Sequence, residues 1–523
     1  MTTQLQVAVR KISSVNPATT EVLRELECVS ENEIREVVAR ARAAQKAWAA
    51  IGIQKRIAIL REFQRQLQKK KSEIAHAITR EAGKPVAEAL TTEVLVVLDS
   101  ARFLIEHAYL LLRDEALPHG NLAAKLKKGR IVREPYGVIG IISPWNYPFS
   151  IPATETLAAL AAGNAVVLKP SEFTSLVALE LKSLLLKAGV PQDIFQVVIG
   201  DSSTGASLIH APIDKLLFTG SVSTGKRIAT AAAERLLPVV LELGGKDPML
   251  VLADADIEVA SSAAIWGAFV NAGQTCLSVE RCYVHRSLYE PFLEACVKKT
   301  KKLRVGPGID RDTDVGPMIH QRQLQIVEAH VEDAVARGAR VLAGGSRLNE
   351  RGPNFYQPTV LADVTHQMRI MREETFGPVL PVAAFDSDDE AVRLANDSEF
   401  GLAASIWTRD DVRGERLARR IQAGTVMIND VLSCFGISEA PHGGFKSSGV
   451  GRAHGRFGLE EMVRMKYLDT DLMPSMKKVW WYGYGATFKR HMEGLMDMQF
   501  ARGWVARLRG ALRGAGAIAG KKL

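Results

Sequence analysis

The chain has 523 residues, 47% hydrophobic and 24% charged, with 67 Lys and Arg against 58 Asp and Glu for a formal charge of +9. That mixture suits a folded protein of roughly two to four domains and excludes a disordered chain. Ten cations and two acids fall between Leu472 and Leu523, a net of +8, so the preceding 471 residues are close to neutral and the high pI gives no case for nucleic-acid binding by the whole protein.

In chain order, the N-terminal third reads as helices. Ser30 and Glu33 have capping-box spacing, and Ile34, Val37, Val38, Ala41, Ala44 and Trp48 follow at helical intervals. Two more helical stretches cover 54–81 and 86–113, with Gly83 and Pro85 between them. The segment from Pro118 to Pro135 has strand-like ends around a charged middle and is expected to pair as a hairpin. From Gly137 short apolar runs alternate with helices: GVIGIIS, AVVLKP, FQVVIG, KLLFTG and PVVLEL. A second series (MLVLAD, RCYVH, PVLPVAAF, ASIWT and GTVMIN) is interleaved with helices near 287–303, 320–337, 387–397 and 410–422. Such alternation predicts two successive α/β lobes with mostly parallel sheets. GGFKSSGVG is read as an extended loop, and the glycine spacing at 449–455 is discounted because no apolar strand precedes it.

Cys28, Cys276, Cys282, Cys296 and Cys434 are few, odd in number and without a C-x-x-C pair. They exclude a disulfide framework and a Cys-rich zinc module, and they suit a reducing compartment. The first 25 residues hold no apolar signal core, and no run of about 18 uncharged apolar residues occurs. The expected location is cytoplasmic. The eleven His residues form no H-E-x-x-H or other metal spacing, so no metal is expected.

Several motifs are candidates for chemistry. Cys276 lies in NAGQTCLS, where small polar neighbours replace the apolar ones of a packing cysteine. Glu242 ends the strand LEL before two glycines. An acid in that apolar setting has a raised pKa and suits a general base for water, or else it caps the next element. Asn146 sits between two prolines in SPWNYP, either as a rigid amide donor for an oxyanion or as an Asx-turn. Lys169 and Glu172, just past a strand, could reach ribose hydroxyls or open a helix capped by Ser171. Glu374 and Phe376 lie in EETFGPV, which alone reads as a charged loop followed by a strand. GSVSTGKR, from Gly220 to Arg227, nearly matches a phosphate-binding loop through Gly220, Gly225 and Lys226, and MLVLAD ending at Asp254 mimics its partner strand. Arg227 replaces the hydroxyl that would hold Mg²⁺. A P-loop-like ATPase is therefore a competing reading, although the strand, glycine turn and helix start also suit a dinucleotide pyrophosphate.

PWNYP, LKPSE, FTGS with its following glycine, LELGGK, GQTC, EETFGPV and HGGFKSSG occur in one order between 145 and 449. Together they resemble the aldehyde dehydrogenase superfamily over nearly the whole chain except the final fifty residues. The resemblance implies an α/β fold: a Rossmann-like cofactor domain (1–117 and 137–245), a catalytic α/β domain (246–447) and oligomerisation strands (118–136 and 462–473), followed by a basic tail (474–523). A homodimer or homotetramer is implied. So is oxidation of an aldehyde to a carboxylic acid, with Cys276 as nucleophile, Asn146 and the Cys276 N–H holding the oxyanion, and Glu242 activating water. CoA-acylating relatives do without that acid, so Glu242 argues for hydrolysis. Trp145, Lys169, Glu172, Gly220, Ser221, Gly225, Glu374 and Phe376 would contact the cofactor. Glu172 would repel a 2′-phosphate, which favours NAD, while Lys169 could still accept NADP. The aldehyde is left open between succinate semialdehyde and aliphatic or fatty substrates. His442 departs from the usual apolar or aromatic residue beside the substrate tunnel.

The tail combines KKVWWYGY (477–484) with Phe500, Trp504, Leu508 and Leu512 at four-residue spacing and Arg502, Arg509 and Arg513 on another side. Basic amphipathic helices of this kind suit an anionic membrane surface, so peripheral contact through 477–513 is expected. A tail docked on the body, and a non-catalytic membrane-surface scaffold, are the alternatives.

Overall fold

A computed structural model describes residues 10–121, 124–478 and 480–515. The ends of the expected cofactor domain and tail, 1–9 and 516–523, lie outside them. The chain divides into two units, 1–112 with 135–463 and 113–134 with 464–523.

In the first unit, the capping box forms as expected: Ser30 and Glu33 exchange hydrogen bonds at the start of helix Glu31–Ala50. Helix Ile53–Ala82 follows, and then a helical stretch from Val86 to Leu112 with a π-helical segment at Ala89–Val94. The reading of the N-terminal third as purely helical misses a hairpin. Lys11–Val15 pairs antiparallel with Val22–Glu27, turned by Asn16, whose carbonyl accepts from Thr20 N–H at 2.8 Å. These strands are short and largely exposed, so they lack the apolar run that marked the others.

Two sheets carry the unit. The first has the order Gly449–Val450, Val239–Glu242, Lys215–Thr219, Val138–Ile142, Ala165–Lys169, Phe195–Val197. Its last five strands are parallel. The chain order reverses between Val138–Ile142 and Lys215–Thr219, which is where open α/β sheets bind ligands beyond their strand ends. Gly449–Val450 runs antiparallel against Leu241–Glu242, so this part of the presumed extended loop is an edge strand. The second sheet has the order Arg340–Ala343, Thr359–Ala362, Val379–Phe385, Val279–His285, Asp247–Val251, Ala403–Trp407, Thr425–Ile428. All neighbours are parallel except the first pair. The buried central strands of both sheets are near-continuous apolar runs, as two-sided coverage requires.

In the second unit, Lys127–Pro135 lies between Glu115–Leu117, antiparallel to it, and Val463–Asp471. Helices Ala486–Phe500 and Trp504–Gly514 pack on each other. Their glycines make the contact: a Cβ on Gly510 would lie 2.3 Å from Met498 N, and one on Gly494 would lie 2.6 Å from Gly514 N.

Candidate active site

The site lies in the first unit, where loops of both sheets meet. Pro144 and Pro148 restrict the loop after strand Val138–Ile142. Asn146 lies between them, 5% exposed. No Asx-turn forms. Its Nδ2 donates to Gln274 O at 3.1 Å, reaching the cysteine loop. Its carbonyl accepts from Lys84 Nζ at 2.8 Å and Asn271 Nδ2 at 3.0 Å. Lys84 also forms a wholly buried ion pair with Glu93 at 2.7 Å. Glu93 accepts from the N–H groups of Phe149 and Ser150 at 2.8 and 3.0 Å, where helix Ser150–Ala162 begins. One buried pair thus fixes the Asn146 loop at both ends.

Cys276 follows a strained turn. Asn271, Ala272 and Gly273 have φ of 54°, 54° and 71°. A Cβ on Gly273 would meet Gly377 O at 2.1 Å, so only glycine allows this close approach. Gln274 is locked by Oε1 accepting from Ile319 N–H at 2.8 Å, and Thr275 Oγ1 bonds the Tyr147 hydroxyl at 2.8 Å. A Cβ on Gly245 would lie 2.3 Å from Cys276 O, so the glycines after Glu242 let its strand end close on the cysteine turn.

Glu242 is 4% exposed, and neither carboxyl oxygen has a hydrogen-bond partner. It therefore caps nothing. Burial first, and then the neighbouring Glu155, pushes its pKa well above the ordinary carboxylate range. His442 Nε2 lies 3.8 Å from Glu242 Oε2, and burial holds this imidazole down at about 3, uncharged at neutral pH. Burial also raises the Cys276 thiol well above its ordinary value, with Asp247, Glu374 and Glu242 adding to the rise. Glu374 accepts from Gly245 N–H at 3.0 Å and is pushed up to about 8, chiefly by burial.

A second buried pair holds the Glu374–Phe376 loop. Lys246 Nζ lies 2.5 Å from Glu280, whose carboxylate accepts from Thr375 N–H at 2.8 Å and Phe376 N–H at 2.7 Å. Phe376 takes a φ of 53°, and its ring meets Trp145 edge-on at 5.5 Å. Lys84, Glu93, Lys246 and Glu280 were missed as functional residues, because nothing in a linear sequence marks which charges are buried and paired.

Two cavities meet at Cys276. One, of about 260 Å³, is lined by Trp145, Asn146, Gly220, Ser221, Cys276, Glu374 and Phe376, together with Gly244 beside Glu242. The other, of about 220 Å³, is lined mostly by apolar groups including Val96, Ile151, Trp266, Val270, Leu277 and Phe435. Thr91 and Thr92 of the π-helical turn also face it.

Lys169 and Glu172 do not line the first cavity. They sit together at a neighbouring strand end, Nζ to Oε2 at 3.5 Å. Ser171 does not open the next helix, which begins at Ser175 and is capped by Glu81 through Leu176 and Val177 N–H, both at 2.8 Å. Gly225 is not a cavity residue either. It is buried within helix Val222–Ala233 against Leu243, and its missing side chain lets helix and loop pack.

The ATPase reading fails on geometry. Residues 222–227 are helical, with Ser221 capping Thr224 N–H at 3.3 Å, so no open loop remains to wrap a phosphate. The mimic partner strand Asp247–Val251 belongs to the other sheet. Asp254 instead accepts from Thr408 Oγ1 at 2.7 Å and Arg409 N–H at 2.9 Å. Gly220 and Ser221 at a helix N-terminus, the strand-end crevice and the Lys169–Glu172 pair do fit a dinucleotide. Among the described residues, no cluster of three or more His, Cys, Asp or Glu could hold a metal ion.

The aldehyde dehydrogenase family model matches residues 5–468. The chain is 42% identical over 486 residues to a 4,4′-diapolycopene aldehyde oxidase of Methylomonas sp., covering 93% of this chain and 91% of the relative. It is 38% identical over 446 residues to a putative succinate-semialdehyde dehydrogenase [NADP(+)] of Mycolicibacterium smegmatis, covering 85% of each. The NAD+ complex of an aldehyde dehydrogenase from Bacillus cereus superposes with a TM-score of 0.85 at 35% identity, covering 88% of this chain and 94% of that one. With the cysteine turn and the loop amide lining one cavity whose wall also holds Leu243 and Gly244 just after the strand-end acid, the chain belongs to the aldehyde dehydrogenase family.

Proposed function

We propose that this chain oxidises an apolar aldehyde to its carboxylic acid through a thioester on Cys276. The observation that carries this reading is the position of Cys276, which lines both the cavity shared with Asn146 and Glu374 and the apolar cavity beside it. The Cys276 thiol loses its proton to solvent, and the thiolate sulfur adds to the aldehyde carbon, whose oxygen takes up the negative charge. Asn146 Nδ2 and the Cys276 N–H are the donors for the oxyanion, and the Lys84–Glu93 pair holds the amide in place before charge develops. The nicotinamide of NAD or NADP, when bound, supplies the hydride acceptor. Trp145, Gly220, Ser221, Glu374 and Phe376 would hold that cofactor, and Lys169 with Glu172 would take its ribose. The carboxylate at Glu172 favours NAD over a 2′-phosphorylated cofactor. Glu242, in its base form, takes the proton of the water that attacks the thioester carbon, and the C–S bond breaks to free the carboxylic acid and the Cys276 thiolate.

The lining of the second cavity supports the apolar substrate. Among the described residues it is lined by no Lys, Arg or His to neutralise a carboxylate, which the acid group of a semialdehyde would bring in unpaired. An aliphatic or fatty aldehyde suits that lining, and the Methylomonas relative is named for an aldehyde of 4,4′-diapolycopene. A homodimer or homotetramer held through the strands near 118–136 and 462–473, a cytoplasmic location and peripheral membrane contact through 477–513 belong to the same reading. Catalytic efficiency across an aldehyde panel tests it. Aliphatic aldehydes of medium to long chain should exceed succinate semialdehyde by tenfold or more, and Cys276→Ser should abolish turnover. Preference for succinate semialdehyde would refute the apolar assignment. Undiminished turnover by Cys276→Ser would refute the mechanism.

A further inference from the structure

The C-terminal helix pair presents its side chains in the reverse of the usual order. In helix Trp504–Gly514 the buried positions are Gly510 and Gly514, packed on helix Ala486–Phe500. The large apolar side chains point away: Trp504 is 77% exposed, Leu508 55% and Leu512 74%. At about 100° per residue these three form one stripe, roughly opposite the glycines. Phe500, 74% exposed, ends the preceding helix. A helix that turns glycine inward and Trp and Leu outward gains little from its own unit and leaves its apolar area for another phase.

From this arrangement we infer that the Trp504–Leu508–Leu512 stripe seats in the interfacial layer of an anionic lipid bilayer, the helix lying in the membrane plane. The inference rests on the membrane contact proposed above and names its partner and contact residues. The helix has 11 residues, about 16 Å, roughly half the hydrocarbon core, so it lies in the surface rather than spanning it. Among the described residues, no helix is long and apolar enough to cross a membrane. Charge selects the partner. Arg502, Arg507 and Arg509 are exposed around the stripe, in a segment of net charge +8. A second copy of the same surface would set these cations against one another, whereas anionic headgroups complement them. Exposed Trp480 and Tyr482 add the amphipathic rings that suit the headgroup level.

Co-sedimentation of the full chain with vesicles tests the assignment. Wild type should bind phosphatidylglycerol-containing vesicles at least tenfold better than pure phosphatidylcholine, and salt should weaken that binding. The triple variant Trp504→Ser, Leu508→Ser, Leu512→Ser should lose at least tenfold, and Arg502→Glu with Arg509→Glu should lose the preference for phosphatidylglycerol. Unchanged oxidation of a short soluble aldehyde verifies that each variant is folded. Wild type that ignores both vesicle types overturns the membrane contact and this inference together. If truncation after Leu472 abolishes binding while the triple variant binds normally, the contact stands and the stripe is not its site. A triple variant that changes oligomeric state instead of vesicle binding assigns the stripe to a second copy and overturns the inference.

Discussion

Glu242 is buried beside a second acid, Glu155, and burial first and then that neighbour raise its pKa well above the ordinary carboxylate range. With the carboxyl shifted upward by burial and by Glu155, its base form grows as pH rises above the ordinary carboxylate range. Acid release should accelerate toward alkaline pH, and Glu242→Gln should lower steady-state turnover by about 10²- to 10⁴-fold and lose that dependence. Stopped-flow and steady-state rates across pH check this, and an unchanged alkaline rise in the variant would remove Glu242 from the step. Lys84 makes a second residue-scale case. Lys84→Met leaves Glu93 buried and unpaired, which should cost about 3–5 kcal/mol of stability. The double change with Glu93→Gln should recover part of it in thermal unfolding, while kcat stays low because Asn146 has lost its carbonyl anchor. Cys276, Glu242 and Asn146 are candidates in the sequence through the ordered set of motifs rather than through any one of them, and the structure brings Cys276 and Asn146 to one cavity. Lys84, Glu93, Lys246 and Glu280 are not legible there, since their ion pairs exist only after distant segments meet.

At the scale of elements, the parallel strands were legible because burial on both faces writes them as apolar runs, and Glu31–Ala50 because its periodicity and capping box agree. The hairpin at Lys11–Glu27 and the strand Arg340–Ala343 are short and partly exposed, and carry no such run. The π-helical segment at Ala89–Val94 was invisible for another reason: it keeps helical composition and changes only the hydrogen-bond step, yet it turns Thr91 and Thr92 to the apolar cavity. The cysteine turn is the element whose geometry matters most. Gly273→Ala would place a methyl against Gly377 O in a left-handed conformation. It should cost about 1–3 kcal/mol in stability and reduce kcat well beyond its effect on KM. Wild-type kinetics in that variant would show that the strained turn does not position the thiol.

At the scale of the molecule, the strand-end crevice of one sheet and the cysteine turn leading into the other meet at one sulfur, between a cavity that carries Asn146, Ser221 and Glu374 and a more apolar one. Alternating apolar runs and helices made the two-lobe α/β plan legible and motif order across 145–449 the family, while the pairing of two cavities at Cys276 emerges only once both sheets are folded. The claim on which the account depends is that Cys276 carries the acyl group and Glu242 releases it. Intact-protein and peptide mass spectrometry of the Glu242→Gln variant, mixed with NAD and an aliphatic aldehyde, tests it most directly. The expected result is an acyl adduct of the substrate's mass on the peptide bearing Cys276, absent without NAD. Continued acid production with no adduct, or an adduct on Cys28, Cys282, Cys296 or Cys434, would contradict it.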